Sequence, residues 1–159
     1  MVKRILGFSL VLCVAMFLSC DTDNVFDEEE QLRNDVALIE RYISDNNINA
    51  FAFDNGIHIA VQNQGSGSNA RFGDSVIFHY RGYLLDGTEF ETTEGRAPWD
   101  IVVGRGDNVS AWNFAFRELN AGTIATIFVP SGLGFGNNRR TNVPPNSVLI
   151  YDVTILDIR

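Results

Sequence analysis

The segment Val76-Ile-Phe-His-Tyr80-Arg-Gly82-Tyr-Leu-Leu-Asp-Gly87-Thr-Glu-Phe90 carries the clearest local pattern in the chain. Val76, Phe78 and Tyr80 fall on one face of an extended strand, expected over residues 74–85. Asp86-Gly87 is the kind of pair a tight reversal favours, because Gly accepts positive φ without steric cost. Residues 88–92 then read as the returning strand. An antiparallel hairpin therefore sits near the middle of the sequence.

The pattern extends in both directions. Downstream, residues 99–103 are a short apolar run, and residues 109–119 (VSAWNFAFREL) read as one short helix ending near Asn120-Ala-Gly122. A strand is expected over residues 123–130, a long Gly/Asn/Arg/Pro loop over 131–145, and a closing strand over 147–158. Upstream, residues 56–63 alternate as a strand does, and 64–71 read as a Gly/Ser/Asn loop. Before them Leu32, Val36, Ile39 and Ile43 recur at helical spacing, with Ala37 and Tyr42 beside them. Asp27 followed by Glu30 marks the start of this helix and Asn46-Asn47 its end, which places it at residues 28–45. Its apolar stripe would pack on the following domain or pair with a second copy in a homodimer. Strands with one helix inserted late make an α+β chain.

Composition narrows the class. The chain has 159 residues and a net charge of −8, from 12 Lys+Arg against 20 Asp+Glu. That balance excludes nucleic acid as the main partner, since phosphate neutralisation needs clustered cations. Apolar residues make up 45% and charged residues 20%, which is globular rather than disordered.

The first residues read as an address. Met1-Val-Lys-Arg4 is a short basic start, and residues 5–18 are almost wholly apolar. The run ends in Phe17-Leu18-Ser19-Cys20, which resembles the lipobox of bacterial lipoproteins and implies lipidation of Cys20. We therefore expect a signal peptide at 1–19, an acidic tether at 20–27, a helical segment at 28–47 and a domain at 50–159. The expected location is the cell envelope, anchored by lipid to the outer membrane on its periplasmic or surface side. No ATP pool exists there, which excludes nucleotide-driven chemistry.

Familiar catalytic parts are missing. His58 and His79 lie in strand patterns with no second ligand at metal-binding spacing, and the only Cys, at 13 and 20, cannot build a zinc site. No GxSxG, P-loop or HExxH appears, so neither metal nor cofactor is expected. What remains is aromatic content: Tyr80, Phe90, Trp99, Trp112, Phe135 and Tyr151 are spread over six segments. Either all are core, or some converge on a surface pocket.

The spacing of the blocks resembles the FKBP family of peptidyl-prolyl cis–trans isomerases. Residues 76–90, quoted above, resemble the family's VxVHYxGxLxDGxxF. Pro98-Trp99-Asp-Ile-Val-Val103-Gly104 resembles PFxFxLG, and Trp112, eight residues after that glycine, stands where the family has the Trp of its pocket floor. Gly122 and then Ile127-Phe-Val-Pro130-Ser-Gly-Leu133-Gly-Phe135-Gly136 resemble GxxxxxxIPPxLAYG. Val143-Pro144-Pro145-Asn-Ser-Val-Leu149-Ile-Tyr151-Asp-Val153 resembles IPPNSxLxFxVEL. The likeness covers residues 56–159. It implies an antiparallel sheet of about five strands wrapped around one short helix.

The resemblance also implies a site. Tyr80, Phe90, Glu91, Trp99, Asn108, Val109, Trp112, Phe135, Val143 and Tyr151 would surround a bound proline. Trp112 would be the floor, and Tyr80, Phe90, Trp99 and Tyr151 the walls. The Val109 backbone N–H would donate to the substrate carbonyl. Glu91, where the family has Asp, would orient Tyr80 or polarise the twisting amide. Asn108 stands in place of an aliphatic residue, and Trp99 and Tyr151 in place of Phe. Phe135 replaces a Tyr, which deletes a hydroxyl donor worth about 0.5–1.5 kcal/mol net. Proline-containing polypeptides are the implied partners, and acidic ones would meet Arg139-Arg140 in the long loop.

Overall fold

The computed structural model describes residues 27–106 and 109–159. The expected signal segment, Cys20, nearly all of the acidic tether and Asn108 lie outside the described residues. Helix α1 is Glu28–Asp45. Strands β1 (Phe51–Ala52), β2 (His58–Asn63), β3 (Ser66–Asn69), β4 (Ser75–Leu84), β5 (Glu89–Thr92) and β6 (Trp99–Val102) follow. Helix α2 (Ser110–Ala115) runs into a 3-10 turn at Phe116–Glu118. Then come β7 (Asn120–Ala121), β8 (Ile124–Val129), a 3-10 turn at Ser131–Leu133 and β9 (Leu149–Ile158).

The main sheet runs β1-β2-β8-β9-β4-β5, with β6 also paired to β4, and every pairing in it is antiparallel. Its seven strands exceed the expected number for two reasons. β1 is only a two-residue extension beside β2. One flank of β4 is shared, residues 75–78 pairing with β6 and 81–83 with β5. A second departure concerns residues 64–71, read above as loop. Within them β3 pairs with β7 in a separate two-stranded ladder. All four β3 residues are exposed, so no alternation marks the strand in sequence. Asn120 helps hold it, donating from Nδ2 to the Gly67 carbonyl at 3.3 Å.

The period-two alternation of β8 and β9 gives the sheet two different faces. Ile127, Val129, Leu149, Tyr151 and Val153 join a core with Ala111, Trp112, Ala115 and Phe116 of the α2 region. Phe128 and Ile150 point the other way and pack with Ala60, Val148 and Ile39 of α1. The α1 stripe is thus buried on its own sheet, with Tyr42 and Ile43 beside Ile39. Asp27 caps the helix, its Oδ1 accepting from the N–H groups of Glu29 and Glu30 at 2.9 and 3.1 Å. Asn46 closes it, donating from Nδ2 to the Tyr42 carbonyl at 2.8 Å.

The turn before β2 that passes under α1 requires a glycine. Gly56 has φ +84, and a Cβ there would lie 2.8 Å from Val36 Cγ2 and 3.0 Å from Pro130 Cγ. Leu32 and Val36 therefore settle over the point where β8 leaves the sheet.

Candidate active site

A cavity of about 360 Å³ opens on the inner face of the sheet. Tyr80 of β4, Tyr151 of β9 and Trp112 of α2 form its aromatic interior, with Trp99 of β6 and Glu91 of β5. Val109 enters from the start of α2. Gly134, Phe135, Asn138 and Arg140 reach it from the long loop. The volume lies in the range of small-ligand sites.

The rings contact one another edge to face. Tyr80 lies 5.1 Å from Trp99, 5.8 Å from Trp112 and 5.9 Å from Tyr151, centroid to centroid. Trp112 is 4.4 Å from Tyr151 and stacks on Phe116 at 5.2 Å and 16°. Such tilted pairs match the positive edge of one ring to the negative face of another. Trp112 is 1% exposed, and its indole N–H has no partner among the described residues. Trp99 is 40% exposed and forms the lip.

The backbone of Tyr80 is fixed by Thr93, which is buried although it is polar. The Tyr80 N–H donates to Thr93 Oγ1 at 2.9 Å, and the Thr93 N–H donates to the Tyr80 carbonyl at 3.0 Å. The histidines are occupied locally. His79 Nδ1 lies 3.0 Å from Thr93 Oγ1. His58 Nδ1 lies 3.0 Å from the Gly56 carbonyl, so that nitrogen carries the proton.

Two phenols in the cavity are pushed to pKa values well above the ordinary tyrosine range. For Tyr80 the main cause is burial, followed by the charge of Glu91. For Tyr151 it is again burial and then Glu91, opposed by Arg140. Both therefore stay neutral hydrogen-bond donors at any physiological pH. The guanidinium of Arg140 lies over the Phe135 ring, 4.7 Å from its centroid. One cationic and one carboxylate group, Arg140 and Glu91, thus stand among the aromatic rings of the cavity.

Tyr80, Glu91, Trp99, Val109, Trp112, Phe135 and Tyr151, all expected at the site, are brought together around this one cavity. Two others do not line it. Phe90 stands behind the cavity, 5.7 Å from Tyr151 and 6.0 Å from Phe135, so it backs the wall instead of forming it. Its ring lies against Gly82, where a Cβ would sit 2.6 Å from Phe90 Cζ. Val143 is 4% exposed and belongs to the core, its N–H donating to the Arg140 carbonyl at 3.2 Å. Gly134 and Asn138 line the cavity with no sequence signal to mark them. Thr93 had none either, because a clamp on another strand's backbone leaves no pattern.

An antiparallel sheet curled over a short helix, with an aromatic hollow where helix, hairpin and loop meet, defines the class of domain. The model for the family described as "FKBP-type peptidyl-prolyl cis-trans isomerase" matches residues 66–156, more than half of the chain, and the chain belongs to that family. It is 30% identical over 105 residues to "FKBP-type peptidyl-prolyl cis-trans isomerase FkpA" of Buchnera aphidicola subsp. Schizaphis graminum, a match covering 65% of this chain and 41% of that protein. It is 31% identical over 104 residues to "FK506-binding protein 4" of Neurospora crassa, covering 65% of this chain but 22% of the relative. The chain thus matches less than half the length of either protein. Among solved structures, FkpA from Escherichia coli superposes with a TM-score of 0.67 at 23% identity, over 82% of this chain and 63% of that one. The three FKBP domains of wheat FKBP73 give 0.64 at 23% identity, over 67% and 47%. At that identity the likeness is one of fold.

Proposed function

We propose that this chain is a peptidyl-prolyl cis–trans isomerase that binds X–Pro segments in the aromatic cavity and assists the folding of exported proteins. The observation that carries this reading is the convergence of Tyr80, Trp99, Trp112 and Tyr151 on one cavity whose lining holds no Ser, Thr, Cys or Lys. An X–Pro bond rotates slowly because its amide is partly double-bonded, with a barrier near ~20 kcal/mol. The twisted transition state loses that resonance, so its oxygen is less negative and its nitrogen more amine-like. Water favours the planar, polar ground state. An aromatic box that excludes water favours the twisted form instead, and each 1.36 kcal/mol of that preference is about tenfold in rate.

In this scheme Trp112 is the floor under the proline ring, and Tyr80, Trp99 and Tyr151 are the walls. The N–H of Val109, the residue that precedes α2, where backbone donors lack helical partners, donates to the substrate carbonyl. Glu91 orients Tyr80. Arg140, stacked on Phe135 at the rim, favours acidic clients. Residues 1–19 act as signal peptide and Cys20 carries the lipid, which keeps the domain at 50–159 in the cell envelope beside proteins that fold there.

The purified chain tests this directly, by following cis-to-trans conversion of a short Phe-Pro peptide against a buffer blank. Clear acceleration is expected, and none from a demonstrably folded chain would sink the proposal. One observation favours a second reading, a folding helper with little isomerase activity: Phe135 offers the substrate no hydroxyl. That reading predicts suppressed aggregation of an unfolded client without acceleration.

A further inference from the structure

The long loop that carries Phe135 is anchored from the opposite side of the sheet. Asp35 of α1 is 1% exposed, a buried carboxylate far in sequence from the cavity. Its Oδ2 accepts from the Ser131 N–H at 2.7 Å and from Ser131 Oγ at 2.6 Å. Its Oδ1 accepts from Gln31 Nε2 at 2.8 Å. Three short hydrogen bonds offset the cost of burying the group, and these distances are in the charge-assisted range.

Ser131 passes the constraint on. Its carbonyl accepts from the Gly134 N–H at 3.0 Å and from the Gly136 N–H at 2.8 Å. Those two glycines bracket Phe135, and Gly134 and Phe135 both line the cavity. Gly136 has φ +56, so the turn it closes is held in a conformation few other residues adopt. The carbonyl of Gly136 in turn accepts from the Asn146 N–H at 2.8 Å, at the far end of the loop. Every donor on Ser131 is held by Asp35, and its acceptor holds both neighbours of a cavity residue.

We propose that Asp35 is a positioning residue for the cavity: through Ser131 it fixes the turn that presents Phe135, so helix α1 is part of the site's machinery. The proposal rests on the isomerase reading for its kinetic consequence, but its structural consequence is independent of it. Reacting groups held in place lose rate steeply when displaced, and a shift on the order of 1 Å costs up to about a hundredfold.

The test compares the native chain with Asp35→Ala and with Ile39→Ala, which loosens the same helix without touching Asp35. Conversion of the Phe-Pro peptide is measured at a temperature where all three are fully folded. Amide proton and nitrogen shifts of Phe135 and Gly136 are recorded alongside. Asp35→Ala is expected to lower kcat/KM about tenfold and to move both amides, with Asp35→Asn, which keeps an acceptor for Ser131, falling between. Ile39→Ala is expected to leave kcat/KM within about twofold of native and the amides unmoved. Native kcat/KM in Asp35→Ala, or an equal loss in Ile39→Ala, would overturn the proposal. If Asp35→Ala does not fold, Ser131→Ala decides, with a lowered kcat/KM expected and a native one contradicting. If the native chain itself accelerates nothing, the isomerase reading fails and the amide shifts alone decide the positioning, unmoved amides in Asp35→Ala overturning it.

Discussion

The two faces of the main sheet come from the same strands yet solve different problems. On the inner face Tyr80, Tyr151 and Phe78 meet Trp112 and Phe116, and the rings leave a cavity of about 360 Å³. On the outer face Ile39, Ala60, Phe128, Val148 and Ile150 close against each other under α1. Consecutive residues of β9, Ile150 and Tyr151, belong to opposite sides of this division. The many rings of the inner face, mostly in tilted contact, leave a gap between sheet and helix, whereas the outer face sets one ring pair, Tyr42 and Phe128, among small and branched side chains that interdigitate. One face keeps a cavity and the other closes into a seam. Asp35 and Ser131 join the two around the edge.

If the division is real, the apolar seam of the outer face, apart from Asp35, should govern stability alone. Ile39→Ala removes a wholly buried side chain and is expected to cost about 2–5 kcal/mol in a urea titration, while kcat/KM per folded molecule stays native. A matching fall in kcat/KM would mean that the faces are not separable. On the inner face, Phe135→Tyr returns a hydroxyl to the rim. One net hydrogen bond of about 0.5–1.5 kcal/mol corresponds to a several-fold rise in peptide kcat/KM, with little change in stability. An unchanged kcat/KM would place position 135 outside the reacting geometry.

A smaller effect separates the faces by pH. Tyr80 and Tyr151 on the inner face have folded pKa values raised above the ordinary tyrosine value of 10.0, chiefly by burial. The neutral phenols are favoured in the folded state, so their contribution to stability is complete below about pH 10 and is lost as pH rises beyond it. Urea midpoints should show no loss from these groups up to pH 10 and a decline above it, and Tyr151→Phe should make that decline shallower. An identical alkaline slope in the variant would contradict the burial argument.

How much was legible in the sequence follows from the same division. The strands and α1 were readable because each has one apolar face, and the stripe through Leu32, Val36, Ile39 and Ile43 marked the helix at its observed limits. The aromatic cavity residues are nameable through the motifs that resemble those of the FKBP family; their types alone leave core and pocket open. β3 was missed because every residue in it is exposed and its pairing is made by backbone and Asn120. The family resemblance implies Phe90 and Val143 at the cavity because it identifies a neighbourhood, whereas the depth of a ring depends on its contacts, for Phe90 those with Gly82 and Tyr151. Asp35 was invisible because its partner is 96 residues away.

The most direct measurement sets the two faces against each other. Trp112→Leu and Ile39→Val are prepared beside the native chain, all three are shown to be folded, and cis-to-trans conversion of a Phe-Pro peptide is followed at one temperature. Trp112→Leu is expected to lose most of the acceleration, at least about tenfold, because the indole that lines the interior of the cavity is gone. Ile39→Val should retain it. Undiminished acceleration by Trp112→Leu would contradict the claim that the inner-face cavity is the site of catalysis.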